Sequence, residues 1–429
     1  MEDTLSLEQE SIATSPSPTN ILRNRNFRLL WIGEGISLLG DQFYMIALPW
    51  LVLSLTGDAL VVGTVLATAG IPRALFMLVG GALTDRFTPR RLMINSNLTR
   101  MILTGLLAVT VSTNMIQLWM LYAFALCFGL ADAFFFPAQT SIVPQLVDKD
   151  QLQTGNAMIQ GTATLSLFAG PILAGALISW LDGGTSHSTL GIALAFALDS
   201  LTFIVSIVML NLIRIGNANV RAEKSESGVI ASIREGLLYV WNDKTLKIVF
   251  GLTMGLNVLI TGPFSVGVPV IAKMRFPEGA AAFGLIISVF GGGALLGIIL
   301  AGVLPKPSKK LLGTVLLSVI SLIGIGLAII GMAPTLTIAT SAALVMGTAN
   351  GYNNILMITW LQQKIAPEMT GRVMSLVMFA AIGLNPVSTA LAGALIGLNA
   401  TLLLVCAGIL MTLFTLSAAF SPVVRLGMD

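Results

Sequence analysis

The feature that most constrains this chain is a succession of apolar runs, each about 20 residues long and parted by short charged connectors. Folded as a helix, such a run crosses a hydrocarbon core of about 30 Å. Strands of a membrane barrel would alternate apolar and polar side chains over about 10 residues, and these runs do not alternate. Of the 429 residues 55% are hydrophobic and only 10% charged, with a mean hydropathy of +0.90. Soluble chains carry about 25% charged residues, so there is too little charge here to coat a water-facing surface. An all-α integral membrane protein is the expected fold class.

Twelve segments emerge, roughly 27–54, 60–83, 92–112, 116–137, 154–180, 190–213, 246–271, 283–304, 311–332, 335–357, 371–396 and 398–420. Residues 1–26 are expected to form a disordered cytoplasmic tail, because their start is acidic and Ser/Pro-rich rather than the basic opening of a signal peptide. An N-terminal six-helix half is expected over 27–213, a cytoplasmic linker over 214–245, a C-terminal six-helix half over 246–420, and a tail over 421–429. In the linker Ile233, Leu237, Val240 and Trp241 recur at helical spacing, which predicts an amphipathic helix on the membrane surface. The halves align at an offset of about 218 residues, with Arg90-Arg91 falling near Lys309-Lys310. Two parallel six-helix repeats are the build of one large transporter class.

Basic residues concentrate on the inner side of a membrane. With the N-terminus inside, nineteen Lys and Arg fall on inner segments and two, Lys273 and Arg275, on outer ones. Both termini are therefore expected on the cytoplasmic side of a cell inner membrane. Cys127 and Cys406 fall inside apolar runs without metal-ligand spacing and read as small buried apolar side chains. The net charge of +3 is spread over short loops and gives no nucleic-acid signal.

Between segments 2 and 3, Gly81-x-x-x-Asp85-Arg86-x-x-x-Arg90-Arg91 resembles the loop signature of the major facilitator superfamily. That family usually has glycine where this chain has Thr88. Asn26-Phe-Arg-Leu-Leu-Trp31, Ser37-Leu-Leu-Gly-Asp-Gln42, Ala47-Leu-Pro-Trp50, Leu198-Asp199-Ser-Leu-Thr-Phe203 and Glu368-Met-Thr-Gly-Arg-Val-Met-Ser375 are similar to its drug- and siderophore-exporter branch. The resemblance implies a twelve-helix secondary transporter that moves a small amphipathic or apolar solute outward. It also implies that Gly81, Asp85, Arg86, Arg90, Arg91 and Arg372 form a cytoplasmic gate, in which Asp85 meets the start of helix 11. Ala169-Gly170-Pro171-Ile-Leu-Ala-Gly175 resembles the Gly-Pro bend of exporters in helix 5.

Ionisable residues inside the segments are few: Glu34, Asp41, Arg73, Arg100, Asp132 and Asp199. Each costs about 2.5–3.5 kcal/mol in hydrocarbon on insertion scales, so each is expected to face the bundle interior or water. Equal depth suggests the pairs Asp41–Arg73 and Glu34–Arg100. Asp132, counted as nearer the cytoplasmic end, is placed with the gate. Asp199 has no basic residue at its depth, and desolvation favours the neutral form of a carboxyl. Asp41, Asp199 and Glu34 are therefore the expected proton-coupling residues, beside fixed ion pairs as the plainer reading. Polar residues on the C-terminal segments, Asn257, Thr261, Asn350, Asn353 and Asn385, are expected to line a solute cavity with Tyr44, Trp50, Phe264 and Tyr352. Interhelical hydrogen bonding is the alternative for each.

His187 is the one histidine, and no metal-binding, nucleophile-elbow or phosphate-loop motif is present. No enzymatic activity, cofactor or metal is expected. The expected partners are a small-molecule substrate, the proton and the bilayer, with the chain acting as a monomer. A facilitator or lipid-moving transporter of the same fold stays open, as does a membrane sensor that moves nothing.

Overall fold

The computed structural model describes residues 21–84, 88–148, 151–182, 189–214, 229–305, 307–365 and 383–419, with single positions between 369 and 380. The N-terminal half contains α1 (Arg25–Thr56), α2 (Ala59–Thr84), α3 (Pro89–Ser112), α4 (Leu118–Leu146), α5 (Leu152–Asp182) and α6 (Leu190–Leu212). The linker helix is α7 (Val229–Asn242). The C-terminal half follows with α8 (Lys244–Arg275), α9 (Ala280–Val303), α10 (Lys309–Met332), α11 (Leu336–Lys364), α12 (Asn385–Ile396) and α13 (Ala400–Ala419). Among the described residues, ten helices are long and apolar enough to cross a membrane. Two more complete the twelve: α11, 29 residues long but interrupted by Asn350, Asn353 and Asn354, and α12, the described part of the expected eleventh segment.

Local chemistry sets the helix ends. The Asn24 side chain accepts from the amides of Asn26 at 3.0 Å and Phe27 at 3.2 Å, which caps α1. Gly57 closes that helix in the left-handed region at φ 66°, its N–H bonded to the Leu53 carbonyl, a conformation glycine adopts without a Cβ penalty. Asp243 caps α8 through the amides of Thr245 and Leu246. Order begins ahead of the expected residue 27, because Ile21 is 1% exposed beneath the start of α1. The expected fourth segment ended at 137, but α4 runs on through Pro137 and Pro144 to Leu146.

Within α8 the ladder widens into a π turn over Asn257–Thr261, just ahead of Pro263. Proline removes a backbone donor there. Ser388 of α12 fills the gap, its hydroxyl donating to the Val258 carbonyl at 2.7 Å and accepting from the Gly262 amide at 2.8 Å.

The halves meet at the end where α1 turns into α2 and α8 into α9. A Cβ on Gly63 would lie 2.7 Å from the Cα of Gly393, and one on Gly175 would lie 3.1 Å from the Cα of Gly284. Backbone therefore rests almost on backbone, an approach only small residues permit. The amide of Ile172, next to Pro171, donates to Ser288 of α9 at 2.8 Å. The Gly170–Pro171–Gly175 stretch thus sits in a continuous α5 and forms part of the contact between halves. Cys127 and Cys406, expected to be buried, are both exposed on the bundle surface. Lipid tails are as apolar as a protein core, so hydropathy alone does not separate the two environments.

Candidate functional site: a charge cluster at mid-helix

Five ionisable residues sit close to the midpoints of their helices: Asp41 in α1, Arg73 in α2, Arg100 in α3, Asp132 in α4 and Asp199 in α6. Neighbouring helices of similar length bring those midpoints to one level. Asp132 is the hub. It forms an ion pair with Arg73 and accepts from Arg100 Nη1 at 3.3 Å. The same guanidinium lies 3.7 Å from Asp41. This corrects both expected pairings: Arg73 binds Asp132 rather than Asp41, and Arg100 binds Asp132 and approaches Asp41 rather than pairing with Glu34. It also moves Asp132 from the gate to the centre of the cluster, because α4 is longer at that end than its apolar run suggested.

Arg100 is 2% exposed, and its surroundings show how a guanidinium is held there. Asn97 accepts from Nη2 at 2.8 Å, and Ser206 accepts from the Asn97 amide at 2.9 Å. The rings of Phe135, Phe203 and Phe128 lie 4.0, 4.9 and 6.0 Å from the guanidinium carbon. Aromatic faces attract a desolvated cation. Nothing in the sequence reading points to Asn97, Ser206, Phe128 or Phe135, and Phe203 enters it only as the last residue of an exporter-like stretch. Only the one-turn spacing of Asn97 and Arg100 on a single helix hinted at the first of them.

Two more carboxyls border the cluster. Glu34, 2% exposed, accepts from Gln139 at 2.6 Å, while its second oxygen has no hydrogen-bond partner. Asp199 is 0% exposed and neither of its oxygens has one. Arg100 and Asp41 are the charged groups whose fields reach it. Gly40 of α1 makes room for this carboxyl, since a Cβ there would lie 2.8 Å from Asp199 Oδ1. Tyr44 stacks on Phe128 with ring centroids 4.1 Å apart and meets Phe196 edge-on at 5.9 Å. It belongs to the wall of this cluster.

The remaining expected residues are dispersed. Trp50 lies against Gly279 where the halves meet. Asn257 and Thr261 bond one another at 3.4 Å within the π turn. Phe264 packs on Phe290 with centroids 5.0 Å apart. Asn353 and Asn385 each keep a buried amide oxygen without a hydrogen-bond partner, and Asn350 and Tyr352 are half-buried on α11. Arg90 caps α6 within its own half, donating to the carbonyls of Leu210 and Asn211 at 2.7 Å each. Arg91 is exposed, and Gly81 lies in the last turn of α2. Asp85, Arg86 and Arg372, like His187, lie outside the described residues.

Twelve membrane helices in two six-helix halves, joined by a linker helix, define a multi-pass transporter fold. The family profile described as Major Facilitator Superfamily matches residues 30–385, and the chain belongs to that family of transporters; it is not an enzyme. It is 24% identical over 378 residues to macrolide efflux protein A of Streptococcus pyogenes, covering 87% of this chain and 90% of that protein. It is 26% identical over 391 residues to the multidrug efflux pump Tap of Mycobacterium tuberculosis, covering 86% and 88%. Among solved structures, a bacterial homologue of the iron transporter ferroportin in an inward-facing state superposes with a TM-score of 0.71 at 15% identity, covering 92% of this chain and 99% of that one. The nucleoside transporter NupG gives 0.67 at 14% identity, covering 92% and 97%. At such identities the structural likeness concerns the fold alone.

Proposed function

We propose that this protein exports small amphipathic solutes across the cytoplasmic membrane in exchange for protons. The observation that carries the reading is the charge inventory of the cluster. Four carboxyls, Glu34, Asp41, Asp132 and Asp199, share one region of the bundle interior with two guanidinium groups, those of Arg73 and Arg100. Arginine stays charged in proteins, so four ionised carboxylates would leave two uncompensated negative charges inside the bundle. Protons relieve that cost. Asp199, buried and unpartnered, is the proton carrier. Asp41, whose side chain is 29% exposed, connects the carrier to water, and Glu34 is a second reservoir.

The solute binds between this cluster and the C-terminal half, against Tyr44 and the polar wall of Asn257, Thr261, Asn350, Tyr352, Asn353 and Asn385. Drug-like or macrolide-like cargo is favoured over a siderophore by the names of the efflux relatives. Both termini are cytoplasmic, on the distribution of basic residues. The end sealed by the Gly63–Gly393 and Gly175–Gly284 contacts is then the outer one, an inward-facing state. Asp85 and Arg372 serve the cytoplasmic gate in the opposite state.

Efflux of a fluorescent drug or labelled macrolide from proteoliposomes, with and without an imposed pH gradient, tests the reading. Accumulation driven by the gradient, and lost in Asp199→Asn and Asp41→Asn, is the expected result. Transport that ignores the gradient in the unsubstituted protein would make it an uncoupled facilitator.

A further inference from the structure

The outer connectors carry two basic residues, Lys273 and Arg275, two positions apart on the last turn of α8. They do different things. The Arg275 guanidinium donates to the carbonyls of Gly331 and Ala333 at 2.9 Å each and to the Thr401 hydroxyl at 2.7 Å. All three partners belong to the C-terminal half, so Arg275 staples α8 to the ends of α10 and α13. Lys273 reaches the other way. Its Nζ donates at 2.7 Å to the Leu53 carbonyl of α1, across the line between the halves.

The acceptor is a special one. The last carbonyls of a helix have no partner within it, and the helix dipole gives that end a partial negative charge. At the end of α1, Ser54 donates back to the Trp50 carbonyl and Thr56 to that of Val52, both at 2.7 Å. The Leu53 carbonyl receives the Gly57 amide and the ammonium from the opposite half. Beside it, a Cβ built on Gly279 would lie 3.4 Å from the Trp50 ring. A lysine ammonium is a compact charge on a flexible stem, so a single such contact forms and releases without a rearrangement of the backbone.

We propose that Lys273 is the latch of the sealed end: its ammonium, seated on the C-terminus of α1, holds the halves together there and lets go each time that end opens. The proposal rests on the reading that the halves alternate, and the test separates the two. Spin labels are placed at Ser112→Cys and Asn399→Cys, exposed at that end on opposite halves, in a Cys127→Ser, Cys406→Ser background. Pulsed distance measurements then report the ratio of separated to sealed populations. Lys273→Gln is expected to raise that ratio about 5- to 30-fold, the effect of losing one to two kcal/mol, while Lys273→Arg stays near the parent. Lys273→Met, which keeps the length and apolar stem, takes the place of Gln should that variant not accumulate. An unchanged ratio in the neutral variant, with two populations present in the parent, overturns the latch and leaves alternation standing. A single fixed distance in the parent under all conditions overturns both.

Discussion

Of the two ion pairs on Asp132, the more exposed one should be the weaker. Arg73 and Arg100 both pair with Asp132, but the Arg73 side chain is 41% exposed and that of Arg100 is 2% exposed. An exposed pair in a wet interior is screened and contributes about 0.2–1 kcal/mol. Breaking a buried pair by removing one partner costs about 3–5 kcal/mol, because it strands a charge. In Asp132→Asn, Arg100 still keeps Asn97 at 2.8 Å, Asp41 at 3.7 Å and the ring of Phe135 at 4.0 Å. Those partners offset part of the loss, which leaves about 2 kcal/mol for the substitution as a whole. Double-mutant cycles on reversible unfolding in mixed micelles would measure each pair, using Asp132→Asn with Arg73→Gln and with Arg100→Gln. The Arg100–Asp132 coupling is expected to exceed the Arg73–Asp132 coupling by at least about 1 kcal/mol. Equal couplings, or a larger one for Arg73, would refute the claim that burial ranks these contacts.

Replacing Ser388 with Ala removes both bonds that bridge the π turn and should cost about 1–3 kcal/mol, read as faster hydrogen exchange at the Gly262 amide. A Cβ on Gly284 would collide with the Pro171 carbonyl. Gly284→Val is therefore expected to weaken the sealed end by about 1–3 kcal/mol of overpacking, seen as more separated halves in the spin-label measurement. Asp199→Asn should abolish the response of efflux to an imposed pH gradient while solute binding in detergent survives; loss of binding would place Asp199 in the solute site instead. Asp85→Asn is expected to slow turnover more than it weakens solute binding, and unchanged turnover would reduce the loop between α2 and α3 to an orientation signal.

Hydropathy carries the membrane class and the helix number because the bilayer imposes a length on every crossing. It carries the identity of the charged residues too, since six ionisable side chains in apolar runs stand out against their surroundings. Their partners were not legible. Counting residues from a loop gives height along a helix but not direction around it, and each position turns the side chain by about 100°. Hence Arg73 matches Asp41 in height, while its direction brings it to Asp132. The height itself failed for Asp132, because Pro137, Gln139 and Pro144 interrupt the apolar run nine residues before α4 ends at Leu146. The linker helix was readable because its apolar face repeats at helical spacing on a short segment. The π turn was not, since it depends on Ser388, more than a hundred residues away in the chain.

The glycine contacts at the sealed end have a kinetic consequence. At the crossing points of Gly63 with Gly393 and of Gly175 with Gly284, the closest contacts are backbone on backbone. Side chains that interdigitate must each find a rotamer when surfaces close, and that ordering costs free energy at every docking. Surfaces of bare backbone have no such choices to make. On the proposed alternation, these crossings leave little to reset when the halves part and rejoin, and the seam needs only a few polar contacts to decide when it holds.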